Sequence, residues 1–151
     1  GGFIASEKSV INYLKHHSPA CIFSASMSPP QVACVLKSLE IIETEPERIA
    51  QLHKNAARVR NGLKQLGFNV LDGETPIVPI VIGDDFLTFK FWRMLFDHGV
   101  FTNPIVFPAT PRGMQLIRLS FMATHEDEHL DYVLEQFSKT GKEINILHSV
   151  A

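Results

Sequence analysis

Positive charge is in short supply in this chain. Fourteen Lys and Arg stand against sixteen Asp and Glu in 151 residues, a formal net charge of -2. A nucleic-acid binder is expected to carry a basic excess, so no nucleic-acid partner is expected. Cysteine is scarce too: Cys21 and Cys34 are the whole complement. That is too few for a disulfide framework, and the pair reads as reduced thiols of a cytoplasmic protein. No apolar run approaches the roughly 18–20 residues that a membrane-spanning helix needs; the most apolar stretch, Ile77 to Ile82, has the length of a strand. The opening residues Gly1-Gly2-Phe3-Ile4-Ala5 bring neither a methionine nor a basic segment. No signal peptide is therefore expected, and the chain reads as a piece of something longer. Core material, by contrast, is plentiful. Hydrophobic residues make up 45% of the chain, with eleven Phe and one Trp, which excludes the disordered class and suffices for one folded domain of this size.

Val10, Ile11 and Leu14 recur at helical spacing and predict a short helix over residues 7–17. Ser18-Pro19 ends it, because proline disfavours helical geometry in the residue before it. Cys21-Ile22-Phe23 is a brief apolar run leading into Ser24-Ala25-Ser26-Met27-Ser28. At Ser28-Pro29-Pro30-Gln31 a helix starts: Ser28 caps, the prolines suit the first turn, and Gln31 is placed to complete a capping box. Val32, Val35, Leu36 and Leu39 share one face of it. Thr44-Glu45-Pro46-Glu47 repeats the start signal, so the helix restarts or kinks there. Ile49, Leu52, Ala56, Val59, Leu63 and Leu66 then form a seam at spacings of three and four. Gly67 follows as a C-cap. The two pieces together predict a long helical arm.

After Gly67 strands and helices alternate. Residues 68–71 read as a short strand, and 76–82 as another whose Pro76 and Pro79 suggest an edge or a bulge. Asp84 and Asp85 cap a helix with Phe89, Trp92 and Phe96 on one face, ending near His98-Gly99. A proline-punctuated loop runs from Asn103-Pro104 to Pro111. In the next strand Leu116, Arg118, Ser120 and Met122 point one way, and Ile117, Leu119 and Phe121 the other. A last helix begins near a Thr124 cap and buries Leu130, Val133, Leu134 and Phe137. The fold class expected is α+β: a small antiparallel sheet covered by helices, preceded by a long helical arm.

Three features bear on chemistry. His125-Glu126-Asp127-Glu128-His129 matches the zinc signature H-E-x-x-H, in which two imidazoles one turn apart bind the metal and the glutamate activates water. Its acidic middle positions suit a helix N-terminus better, where they complement the dipole, so no metal site is expected. Arg118 is a lone cation in an apolar strand and needs a partner. That partner is either a carboxylate of this chain or the carboxylate of a substrate, which guanidinium geometry grips with two prongs. Phe23-Ser24-Ala25-Ser26 places small hydroxyls where a phosphate can be held, although Ser28 as a simple cap explains much of the pattern. The arm's Glu47, Arg48, Lys54, Arg58 and Arg60 read as a solvated face.

Several phrases in order resemble the α-oxoamine synthases, pyridoxal-phosphate enzymes of the fold-type I aminotransferase class. They are Gly1-Gly2-Phe3-Ile4-Ala5, Tyr13-Leu14, Ile22-Phe23-Ser24-Ala25-Ser26, Thr75-Pro76-Ile77-Val78-Pro79, Gly99-Val100-Phe101, Asn103-Pro104, Pro108-Ala109-Thr110-Pro111, Ile117-Arg118-Leu119-Ser120 and Met122-Ala123-Thr124-His125. The family includes serine palmitoyltransferases, glycine C-acetyltransferases and 8-amino-7-oxononanoate synthases, and the likeness is greatest to the bacterial serine palmitoyltransferases. The resemblance implies a C-terminal portion of such an enzyme: residues 1–28 as the end of the large cofactor domain, 29–66 as the connecting arm and 67–151 as the small domain. It implies pyridoxal 5'-phosphate as cofactor, acyl-CoA and an amino acid as substrates, and a homodimer. The lysine that bonds the cofactor would lie before Gly1, so no catalytic residue is expected in this chain and the piece alone is expected to be inactive. Phe23 and Ser24 match the segment that reaches the cofactor phosphate of the partner subunit. Arg118 matches the arginine that binds the amino-acid carboxylate, and the loop from Pro108 to Pro111 matches a mobile segment over the active site. The reaction implied is condensation of the amino acid with the acyl thioester, releasing CoA and giving a 2-amino ketone. Two rival readings remain: a dimerisation or binding module without chemistry, which would use the arm's seam and the segment up to Ser26, and a zinc hydrolase.

Overall fold

A computed structural model describes residues 4–147. Gly1, Gly2 and Phe3, the opening of the family-like pattern, lie outside the described residues. The chain divides into two compact units, Gly1–Thr44 and Glu45–Ala151, with the division falling inside the expected arm. The first unit holds α1 (Lys8–His17), α2 (Pro19–Phe23) and α3 (Pro29–Thr44). Ser18, at φ -92 and ψ 109, ends α1, as the following proline requires. Its hydroxyl then accepts from the Cys21 N–H at 3.3 Å and caps α2. At the start of α3 the Ser28 N–H donates to Gln31 Oε1 at 3.2 Å, one half of the expected capping box. No residue of these three helices is buried. Their apolar side chains, Val32, Val35, Leu36 and Leu39 among them, stand exposed.

α4 (Pro46–Gln65) opens the second unit, with Glu45 at φ -126 and ψ 61 interrupting the helical path and Pro46 in the first turn. β1 (Asn69–Val70), β2 (Ile77–Val81), α5 (Asp85–Asp97), β3 (Asn103–Ile105), β4 (Leu116–Ser120) and α6 (Asp127–Glu143) follow. The strands form one sheet in the order β1-β2-β4-β3, antiparallel at every pair. This is the small antiparallel sheet expected. Val78, Ile80, Ile117 and Leu119 point to one face, where they pack with Ala56, Val59 and Leu63 of α4, Phe91 and Leu95 of α5, and Leu130 and Phe137 of α6. Phe68, Phe91 and Phe137 meet at the centre, with ring centroids 5.3 to 5.9 Å apart. Only the later part of the arm's seam joins this core: Ile49 is exposed, whereas Ala56, Val59 and Leu63 are buried.

Three sequence expectations need correction. The proline-bearing strand β2 is interior, not an edge. Pro79 is tolerated because its carbonyl accepts from the Leu71 N–H at 3.0 Å, so its missing donor also faces the side of the two-residue β1 and not the β4 ladder. On α5, whose Phe89, Trp92 and Phe96 share a face, Phe89 and Phe96 are 47% and 46% exposed while Trp92 packs against the core, and the fully buried residues are Thr88, Phe91 and Leu95. At α6 the N-cap is Glu126, not Thr124; the Glu126 side chain accepts from the His129 N–H while the Glu126 N–H donates to His129 Nδ1 at 3.0 Å. Arg58 and Arg60 are also more than a solvated face. Arg58 pairs with Asp127 and Asp131 of α6, and Arg60 donates to the carbonyls of Thr75 and Ile77 at 2.7 and 3.0 Å.

Candidate functional site

The sheet has two faces, and α4, α5 and α6 cover one. The other carries Ile77, Pro79 and Val81 of β2, Leu116, Arg118 and Ser120 of β4, and Asn103 and Ile105 of β3, in register as Ile77↔Ser120, Pro79↔Arg118, Val81↔Leu116, Asn103↔Arg118 and Ile105↔Leu116. Arg118 is thus placed mid-sheet, with β4 fixed from behind by buried Ile117 and Leu119. The alternation read from the sequence puts the guanidinium on this open face. It is exposed, and among the described residues no carboxylate lies within ion-pair range of it. Its one side-chain polar contact among the described residues is Nη2 donating to Asn103 Oδ1 at 3.5 Å. Among the described residues, then, the internal carboxylate partner of the first alternative is not found. A guanidinium with a fork of donors free matches a carboxylate brought from outside.

The loop before β4 joins it to β3. It contains the cis peptide Phe107-Pro108, and the Arg112 guanidinium lies over the Phe107 ring at 4.6 Å from its centroid. Thr110 Oγ1 donates to the Met114 carbonyl at 2.8 Å. The Gln115 carbonyl accepts from the Ile82 and Gly83 N–H groups at 2.8 and 3.0 Å, which ties the loop's end to the end of β2. Gly113, at φ 81, turns the chain where a side chain would be strained.

Phe23 and Ser24 belong to the other unit. Phe23 ends α2 and is 87% exposed; Ser24 follows at φ -86 and ψ 140. The Ser24 hydroxyl is exposed and makes no hydrogen bond among the described residues. An exposed hydroxyl is donor chemistry of the kind a phosphate oxygen accepts.

The H-E-x-x-H residues are occupied differently. His125 precedes α6, so the two imidazoles do not project from successive turns of one helix. Each Nδ1 is an acceptor: His125 Nδ1 takes the Met122 N–H at 3.2 Å, and His129 Nδ1 takes the Glu126 N–H. Burial first, and the neighbouring His129 second, hold the His125 pKa below the usual histidine range. Among the described residues no group of three or more His, Cys, Asp or Glu converges as a metal site would.

Two residues with structural parts to play around the site escaped the reading of single motifs. Asn103, noted only as part of Asn103-Pro104, is the cross-strand neighbour of Arg118. Asn55, buried in α4, donates to the carbonyls of Met122 and His125. An asparagine inside an otherwise apolar helical seam is the available signal for the second, since a buried amide needs partners.

Comparison with known proteins gives concordant results. The profile of the family described as aminotransferase class I and II matches residues 1–137. The serine palmitoyltransferase of Sphingobacterium spiritivorum is 44% identical over 146 residues, 97% of this chain and 37% of that protein. The 8-amino-7-oxononanoate synthase of Thermosipho melanesiensis is 37% identical over 147 residues, again 97% of this chain and 38% of that protein. Among solved structures, the Sphingomonas wittichii serine palmitoyltransferase superposes with a TM-score of 0.82 at 27% identity, covering 95% of this chain and 36% of that one. A high-resolution structure of SPT with PLP gives a TM-score of 0.82 at 29% identity, covering 93% and 36%. The chain thus spans little more than a third of the length of these relatives. No helix among the described residues is long and apolar enough to cross a membrane.

Proposed function

This chain belongs to the aminotransferase class I and II family, and from that premise we propose that it supplies the C-terminal part of a pyridoxal-phosphate-dependent acyltransferase that condenses an amino acid with an acyl-CoA to a 2-amino ketone. The reading is serine palmitoyltransferase-like, supported by the 44% identity to the Sphingobacterium enzyme. The 37% identity to an 8-amino-7-oxononanoate synthase favours, as the second reading, the same condensation with another amino acid and acyl chain. In this assignment residues 1–28 end the cofactor domain, 29–66 connect, and 67–151 form the small domain.

The single observation that carries the reading is the exposed Arg118 guanidinium, free of any carboxylate among the described residues, in the middle of the sheet's uncovered face. Arg118 takes the amino-acid carboxylate through two parallel N–H···O bonds and so fixes how the bonds at the α-carbon are directed, a positioning role. Phe23 and Ser24 are assigned to the cofactor of the partner subunit: the Ser24 hydroxyl would donate to its phosphate and the Phe23 ring would shield that contact from water. Pyridoxal phosphate, when bound, supplies the electron sink for chemistry at the α-carbon. The roles assigned to this chain are binding and orientation, not bond making.

The enzyme is further proposed to act as a homodimer in the cytoplasm. The first unit buries none of its own helical residues and turns Phe23, Val35 and Leu36 outward, a surface suited to contact with other polypeptide. Cys21 and Cys34 are free and exposed, in keeping with a reducing compartment. The test is thiol release by the full-length polypeptide given pyridoxal phosphate, L-serine, glycine or L-alanine, and acyl-CoAs from acetyl to palmitoyl. Amino-acid-dependent release of CoA is expected; no release with any pairing would overturn the assignment.

A further inference from the structure

Arg118 has two neighbours directly across the sheet, and they differ in kind. On β2 it faces Pro79, whose ring presents an apolar, rigid wall with no polar side-chain atom. On β3 it faces Asn103, whose Oδ1 is the one side-chain acceptor within hydrogen-bond reach among the described residues. Because Pro79 turns its own backbone groups toward β1, the Arg118 N–H and C=O point to β3, and Asn103 and Arg118 are a hydrogen-bonded backbone pair. Their side chains therefore leave adjacent, register-locked Cα positions on the same face.

Asn103 is itself held. The following Pro104 keeps its backbone extended, and β3 is the edge strand, where the missing Pro104 N–H points outward at no cost to the ladder. The side chain is half-buried, so its amide has a restricted set of directions. An arginine side chain without such a neighbour samples many rotamers.

We propose that Asn103 is a positioning residue that aims the Arg118 guanidinium outward, because it is the cross-strand neighbour of Arg118 and offers it a neutral acceptor. The neutrality is the functional point. A carboxylate at this position would orient the guanidinium equally well but would also satisfy its charge, leaving less for an incoming anion. An amide fixes one edge of the fork and leaves the positive charge for the substrate carboxylate. This inference rests on the reading of Arg118 as the carboxylate-binding residue.

The experiment is equilibrium binding of L-serine to the full-length, cofactor-loaded protein by calorimetry, with ethanolamine, which is L-serine without its carboxylate, as the second probe. Asn103→Ala is expected to weaken L-serine by about three- to tenfold, the loss of one orienting hydrogen bond. Asn103→Asp is expected to weaken it further, by about tenfold or more, through competition for the guanidinium and repulsion of the ligand. Ethanolamine affinity is expected to stay unchanged in both variants. A merely structural role predicts the opposite order, with the near-isosteric Asp milder than Ala, and predicts that both probes shift together; either result overturns the proposal. Should Asn103→Ala fail to fold, Asn103→Asp and its two probes decide alone. Arg118→Ala is measured beside them. If it leaves L-serine binding intact, the underlying assignment of Arg118 fails. If it abolishes L-serine binding while Asn103→Asp binds as tightly as wild type, only the role of Asn103 fails.

Discussion

The buried side-chain amide of Asn55 donates to the carbonyl oxygen of His125 at 2.9 Å, and the same nitrogen reaches the Met122 carbonyl at 3.1 Å. Residues about seventy apart in sequence are thereby joined, and the turn that follows β4 is pinned to α4. Asn55→Ala leaves two carbonyls without this donor and is expected to cost about 1–3 kcal/mol. Asn55→Asp, which sets a carboxylate against carbonyl oxygens, is expected to cost more. Urea denaturation of the full chain measures both.

The same turn predicts acid sensitivity. His125 Nδ1 accepts the Met122 N–H, and a protonated imidazole has no acceptor to offer. Burial, then the nearby His129, depress the His125 pKa below its ordinary value of 6.5. The unfolded chain therefore takes up the proton first as pH falls, so this contribution to stability is whole above that ordinary value and is lost as pH drops through it toward the depressed one. The expected result is a denaturation midpoint that declines below about pH 6.5. His125→Asn, which keeps an acceptor that does not titrate, should show a shallower decline; an equal slope in both proteins would remove His125 as the cause.

Phe137 sits edge-on to Phe91 at 5.3 Å and to Phe68 at 5.7 Å, fully buried between α6, α5 and the sheet. Truncating it opens a cavity that the surrounding rings cannot fill. Phe137→Ala is expected to lower stability by about 3–5 kcal/mol, read from the same denaturation curves, and Phe137→Leu by clearly less.

Arg58 is the contrasting case. It bridges Asp127 and Asp131, but those carboxylates are 74% and 63% exposed. Solvent screening limits what such pairs contribute, and Arg58→Ala is expected to cost no more than about 1 kcal/mol. A loss as large as that of Phe137→Ala would show that the α4–α6 packing depends on the ion pairs and not on Val59, Leu63 and Leu130.

These magnitudes also explain what could be read from the sequence. β4 is legible because its alternation has one solution: Ile117 and Leu119 must be buried, so Arg118 must not be. The α5 start is legible because the Asp84 side chain accepts from the Leu87 N–H at 2.8 Å, a purely local event. The buried face of α5 is not, because Phe89 and Phe96 compete with Phe91 and Leu95 at the same spacing and only the sheet decides between them. Pro79 misleads for a similar reason. Its place inside a sheet depends on how short β1 is, and strand partners are set by tertiary contacts. Arg118 could be singled out as a cation in need of a partner, but that no carboxylate pairs with it among the described residues is a property of three strands aligned. Asn55 and Asn103 act across the fold, and single-chain spacing carries no trace of their partners.

Arg118 is proposed to hold the substrate carboxylate. The most direct measurement is the amino-acid KM of the full-length enzyme before and after Arg118→Ala, with the absorption spectrum of the bound cofactor recorded alongside. A KM raised by about tenfold or more is expected, the loss of a charge-assisted hydrogen-bonded contact, with the cofactor spectrum unchanged. A KM equal to wild type would contradict it.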